Sequence, residues 1–177
     1  MKAIFKLAVL VLTTITLQAQ NQMYLEIPDI PGESQRMNFE DQIVVDAFAF
    51  SVKNPKTKVG SGRVSSRVVF SGIQIHKKTD IATNPMLEGL KQRQRFNEVK
   101  LTLVSESGGQ GSQAYLVYTL KNVVISAYEI EGTTEDLRPA ERWLLEFESI
   151  NSVYTRTDID GSAGDSNEFE YSVKSGM

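Results

Sequence analysis

The sequence predicts a mainly β fold: a single β-barrel or two-sheet domain with one short α-helix packed on its side. Three observations carry that prediction. Apolar and polar residues alternate with a period of two through most of the chain after residue 22. Clusters of Gly, Pro, Asn and Asp punctuate those stretches at the places where strands must turn. Only one segment, Thr83 to Gln92, carries the start and stop signals of a helix.

The chain opens with the three zones of an export signal. Lys2 and Lys6 form a positive start, Leu7 to Leu12 an apolar centre extended by Ile15 and Leu17, and Leu17-Gln18-Ala19 a cleavage site ending in a small residue. Residues 1–19 therefore read as a signal peptide and residues 20–177 as one domain. The apolar run is shorter than the roughly 20 residues a membrane span requires. No second such run follows, so no integral membrane segment is expected after cleavage. Export is the resulting localisation. A start at Met23 is the alternative, and it would leave the protein in the cytoplasm before secretion.

The segment Met23 to Ser34, MYLEIPDIPGES, reads as a first strand running into a turn built on Pro28, Asp29, Pro31 and Gly32. Gln42 to Val52 reads as one long strand, with Val44, Asp46, Phe48 and Phe50 on one face and Val45, Ala47 and Ala49 on the other. Lys53 to Gly62 is a loop by its Asn-Pro, Gly and Lys content, and Arg63 to His76 is the next strand. In the helix, Asn84 is the expected N-cap and Pro85 the first helical residue. Met86, Leu87 and Leu90 form a short apolar face, and Lys91, Arg93 and Arg95 suit the negative end of the helix dipole. Gly89 weakens the helix by about 1 kcal/mol relative to alanine, so it needs tertiary support.

Three strand regions follow: Phe96 to Glu106, Gln113 to Gly132 with a bend or bulge at Lys121-Asn122, and Arg142 to Thr155. Asp158 to Asp165 is a turn and Glu168 to Lys174 a closing strand. Tyr115, Tyr118, Tyr128, Trp143 and Phe147 read as core.

Chemistry is conspicuous by the motifs it lacks. There is no cysteine, which excludes thiol chemistry and a disulfide scaffold. His76 is the only histidine, sits beside Lys77 and Lys78, and has no nucleophile motif to serve. The DIDGSAGD segment has its Gly161 at the wrong place for an EF-hand loop. Gly108-Gly109-Gln110-Gly111 lacks the Lys-Ser/Thr of a phosphate loop and reads as a hairpin tip. Glu146 and Glu148, two apart, share a strand face, which is more often solvated than catalytic. The formal charge of −3 becomes −5 once Lys2 and Lys6 are removed, and acid and base are interspersed, so nucleic-acid binding is not expected. No catalytic, cofactor or metal residue is assigned.

From Met23 to about Ser175 the order of several motifs resembles the Hcp family, the tube proteins of bacterial type VI secretion. The opening IPDIPGES is followed by DQIVVDAFAFSV, then Gly62-Arg63-Val64, then Lys77-Lys78-Thr79-Asp80 leading to Asn84-Pro85-Met86-Leu87. YLVYTLKNVVISAYEIEG with its Ser126-Ala127-Tyr128 step, Arg138-Pro139-x-Glu141 and Asp160-Gly161-Ser162-x-Gly164 complete the series. Two features depart from the family pattern: the leader, and Arg36 to Glu40, which lacks a histidine often found there.

The resemblance implies a structural, non-enzymatic protein forming hexameric rings that stack head to tail into a tube. It also implies secretion-machine components and effector proteins as partners. It puts a ring-to-ring contact in the loop after Val52, with Lys53, Asn54, Pro55, Lys56, Thr57 and Lys58 as candidate contact residues meeting Glu33 and Asp41 of the next ring. The rival expectation is an exported monomeric β-domain that binds a glycan or a protein partner.

Overall fold

The computed structural model describes residues 21–54, 68–107, 111–158 and 162–173. The signal-peptide expectation for residues 1–19 and most of the predicted contact loop lie outside them. The strands are β1 (Gln22–Glu26), β2 (Ile43–Val45), β3 (Ala47–Lys53), β4 (Val69–Lys78), β5 (Arg95–Ser107), β6 (Gly111–Glu131), β7 (Ala140–Glu146), β8 (Ser149–Thr157) and β9 (Ala163–Ser172). The helix α1 spans Thr83–Gln92, as the sequence predicts.

All nine strands belong to one antiparallel sheet: seven run in the order β2-β1-β5-β6-β7-β4-β3, and β8 and β9 branch from β6. Strands β2 and β3 are one run of chain separated by Asp46 alone, so the two ends of that path are joined and the sheet curls round on itself. The Asp46 amide donates to the His76 carbonyl at 2.8 Å at this join. The choice between barrel and sandwich thus resolves to a single curled sheet. Its interior holds Leu25, Ile43, Ile73, Ile75, Leu101, Leu120, Trp143, Leu145 and Ile150, all essentially without solvent exposure.

The predicted long strand from Gln42 to Val52 is therefore two strands, and the faces assigned to it are wrong in one half. Ile43 and Val45 are buried and Val44 is exposed, whereas beyond Asp46 it is Phe48 and Phe50 that turn inward. The bend at Asp46 shifts the alternation by one residue, which a strict period of two cannot anticipate.

The predicted strand from Arg142 to Thr155 is likewise two. Strand β7 pairs with the second half of β6, from Val124 to Glu131. Strand β8 pairs with its first half, from Leu116 to Lys121. Asn122, at φ 51°, marks the point on β6 where one partner gives way to the other. Glu148 fastens the branch: its amide donates to the Lys121 carbonyl at 3.0 Å, and its carboxylate accepts from Asn122 at 3.1 Å and Arg95 at 3.2 Å. It is not on a strand face beside Glu146. Of the bend or bulge expected at Lys121-Asn122, the left-handed backbone of Asn122 fits the bend, and the register shifts fall elsewhere, at Leu103/Val104 against β6 and at Ile125/Ala127 against β7.

The helix starts differently from its sequence signal. Ala82 is the N-cap, without a side-chain cap, and Asn84 lies inside the first turn. Its role is taken by the preceding turn, where Asp80 Oδ1 accepts from the Ala82 amide at 2.9 Å and Thr83 Oγ1 from the Asp80 amide at 3.1 Å. At the other end Arg93, at φ 54°, caps the helix. Gly89 is where the helix meets the barrel: a Cβ there would come within 3.2 Å of the Phe96 ring.

Candidate functional site

Three sequence segments that are far apart meet at one end of the barrel. Strand β4 delivers Lys77, the turn into α1 delivers Asp80 and Thr83, and the start of β7 delivers Glu141 and Trp143. Lys77 and Glu141 are fully buried. The Lys77 ammonium reaches Asp80 Oδ1 at 2.6 Å, Glu141 Oε2 at 2.9 Å, the Lys78 carbonyl at 3.0 Å and Thr83 Oγ1 at 3.1 Å. Glu141 also accepts from the Thr83 hydroxyl at 3.0 Å and from Trp143 Nε1 at 3.0 Å. Trp143 in turn packs on Tyr128, with ring centroids 4.3 Å apart.

An ion pair this deep persists only where its remaining lone pairs and protons are also satisfied, because desolvation costs several kcal/mol per ion. Burial pushes the Glu141 carboxyl up, but hydrogen bonds from Lys77 and Trp143 and the charge of Lys77 outweigh it and hold the group below its ordinary value of 4.5. The network thus pins the helix entry to β4 and β7.

The outer layer of this corner is exposed. Glu33, from the IPDIPGES turn, accepts from Arg138 Nη1 at 2.7 Å and from the Ile81 amide at 3.0 Å. The Arg138 bond is the main reason that its carboxyl lies below the usual value. Gly32 has no room for a side chain, since a Cβ would sit 2.3 Å from the Gln42 carbonyl oxygen. Its amide donates to the Asp41 carbonyl at 2.7 Å, so Glu33 and Asp41 are held on one small loop. Asp41 is exposed, with φ 58°.

Lys53 closes β3 opposite Val69, at the other end of β4 from Lys78. That strand is about 30 Å long at roughly 3.3 Å per residue. Lys53 and Asn54 are exposed there; Pro55, Lys56, Thr57 and Lys58 lie outside the described residues. The described contact residues consequently fall into two sets at opposite ends of the barrel, Lys53 and Asn54 at one and Glu33 and Asp41 at the other.

The remaining sequence candidates do not assemble into a reaction centre. His76 lines a shallow cleft of about 370 Å³ with Glu129, Glu131 and Arg142, where Arg142 contacts both glutamates. Strands β8 and β9 pair as far as Thr157 and Ala163, so β9 begins inside the segment Asp158 to Asp165 that the sequence assigns to a turn. Strands β5 and β6 pair as far as Ser107 and Gly111, and residues 108–110, where the hairpin tip is expected, lie outside the described residues. Among the described residues no group of His, Asp or Glu is placed to hold a metal ion, and no helix is long and apolar enough to cross a membrane.

The family described as "Type VI secretion system effector, Hcp" matches residues 24–154. The chain belongs to the Hcp family. Protein hcp1 of Pseudomonas aeruginosa is 25% identical over 141 residues, 79% of this chain and 86% of that protein. A structure described as a type six secretion system protein superposes with a TM-score of 0.81 at 22% identity, covering 89% of this chain and 99% of that one. Hcp1 from Salmonella typhimurium does so with a TM-score of 0.70 at 17% identity, covering 89% and 97%.

As an Hcp-family tube and effector protein of type VI secretion, it is structural and not enzymatic. Its most enclosed polar groups, Lys77, Thr83 and Glu141, are bonded to one another. Sequence reasoning quoted Lys77-Lys78-Thr79-Asp80 and Arg138-Pro139-x-Glu141 as separate motifs. It missed that Lys77, Thr83, Glu141 and Trp143 form one buried network. The available signal was a charged residue on the apolar phase of each strand: Lys77 shares its face with Ile73 and Ile75, and Glu141 with Trp143 and Leu145.

Proposed function

We propose that this Hcp protein forms hexameric rings that stack head to tail into a tube, and that the tube carries or accompanies effector proteins. The observation that supports this most directly is the separation of Lys53 from Glu33 and Asp41 along the barrel. A head-to-tail stack brings opposite ends of successive subunits together, which sets the lysine-bearing loop of one ring against the acidic loop of the next. Glu33 is already bonded to Arg138, so a lysine arriving from the next ring would share that carboxylate. Single exposed ion pairs are weak, but a ring repeats each of them around its circumference.

Charge reversal at Lys56 and Lys58 is expected to shorten or abolish tubes in electron micrographs while leaving rings intact. Unchanged tube length in the double variant would remove this loop from the contact. The leader is part of the same reading: cleavage after Ala19 exports a domain beginning at Gln20. N-terminal sequencing of protein from the source cell is expected to read Gln20; a first residue of Met23 would refute export by this route.

A further inference from the structure

Strands β8 and β9 form an arm off the main path of the sheet. On its inward face Leu120, Ile150 and Tyr171 make one row, Tyr118, Ser152 and Phe169 the next, and Leu116, Tyr154 and Asn167 the last. The first row belongs to the core, and Tyr171 stacks on Phe70 at 4.2 Å. Further out the cover ends: Tyr154 and Phe169 are 50% and 51% exposed. The opposite face carries Asn151, Thr155, Ser166, Glu168 and Glu170, with Val153 as the apolar residue between Asn151 and Thr155. Among the described residues strand β9 pairs only with β8. A hairpin with one aromatic face and one open edge is a binding surface or an aggregation hazard.

We infer that this arm docks onto a second copy of the chain, at the groove beside the C-terminal end of α1. The inference rests on the ring reading above. The groove, of about 490 Å³, is floored by Leu90, Val124 and Ile125 and flanked by Arg93 and Arg95. The segment from Lys91 to Arg95 holds three cations, of which Lys91 is paired with Glu88 at 3.1 Å and Arg95 with Glu148 at 3.2 Å.

The arm has the opposite charge. It carries Asp165, Glu168 and Glu170, and its own Arg156 is engaged by Asp158 at 2.9 Å and Asp165 at 3.7 Å. The Arg93 guanidinium and the Glu170 carboxylate each lack an ionic partner among the described residues. Because β9 is the edge strand, side chains of both its faces reach a body seated against it. Arm against arm would oppose Glu168 and Glu170 of two copies, and groove against groove would oppose the arginines. Arm against groove pairs aromatic with apolar and acid with base. A contact between two different patches is heterologous and closes into a ring when the rotation permits.

Protein processed by its source cell is studied by sedimentation and native mass spectrometry over micromolar to near-millimolar concentration. The double variant Tyr154→Ser with Phe169→Ser is expected to raise the concentration for half-assembly by at least about tenfold, as loss of a buried aromatic anchor does. Arg93→Glu alone and Glu170→Arg alone are each expected to weaken assembly, and the two together to restore it. Thermal melts of each variant as dilute monomer verify folding.

Wild-type protein that stays monomeric throughout would overturn the ring reading and this contact with it. Wild-type rings matched by equally stable rings in both the serine and the charge variants would overturn the contact alone. Intact rings that no longer stack, or no longer bind an added effector, would assign the arm to that other partner and also overturn it.

Discussion

At the helix corner, Lys77 and Glu141 have no solvent exposure, and the bonds of each end on groups of the same chain. On the β8–β9 arm, Tyr154 and Phe169 are half exposed, and no described residue completes the cover of that apolar face. The corner places polar groups where apolar ones are the rule, and the arm places aromatic groups where polar ones are the rule. The difference lies in what completes each region. Three segments of one chain complete the corner, so its energy belongs to the fold. Among the described residues nothing completes the arm, and its half-exposed aromatic rings are what the contact inferred above would bury.

The largest effect is expected from opening the corner. Lys77→Met leaves Glu141 and Asp80 without their cation. It should destabilise the folded monomer by about 3–5 kcal/mol, as removal of one partner of a buried pair does. Urea titration of dilute protein measures this; a loss below about 1 kcal/mol would mean that water or relaxation compensates the buried carboxylates.

Acid tests the same network without mutation. The Glu141 carboxyl is held below its ordinary value of 4.5, so it binds a proton less readily folded than unfolded. Its contribution is therefore complete above pH 4.5 and is lost as pH falls through the lower folded value. Denaturation midpoints of the wild type should fall steeply in that window. Those of Glu141→Gln, less stable at neutral pH, should fall less steeply. Parallel curves for the two proteins would place the acid sensitivity elsewhere.

Removing the outer layer should do less. Arg138→Ala releases Glu33 from its cation but leaves the bond from the Ile81 amide. The melting temperature is expected to change little, while amide hydrogen exchange at Ile81 speeds up. Exchange at Ile81 equal to wild type would show that the loop is held without Arg138.

The smallest effect on the monomer is expected from Phe169→Ser. A half-exposed side chain on an open arm should cost within about 0.5 kcal/mol. A monomer penalty comparable to that of Lys77→Met would make the arm part of the fold and erase the contrast.

The sequence by itself determined the local elements. The bounds of α1 and the position of most strands were legible because each depends on residues adjacent in the chain: alternation, Gly and Pro placement, a proline near the helix start. The IPDIPGES turn and the order of motifs made the family legible as well. Tertiary structure decided the rest. Asp46 breaks one predicted strand because the chain must pass there from the partner β1 to the partner β4. Phe147 and Glu148 break another because β6 changes partners at Asn122. Ala82 rather than Asn84 begins the helix because Asp80 and Thr83 are held by Lys77 and Glu141, residues 58 apart from Thr83 in one case. Strand phase, partner switching and the enclosure of a charge are set by which segments meet across the barrel, and a periodicity read along one segment carries no information about its partner.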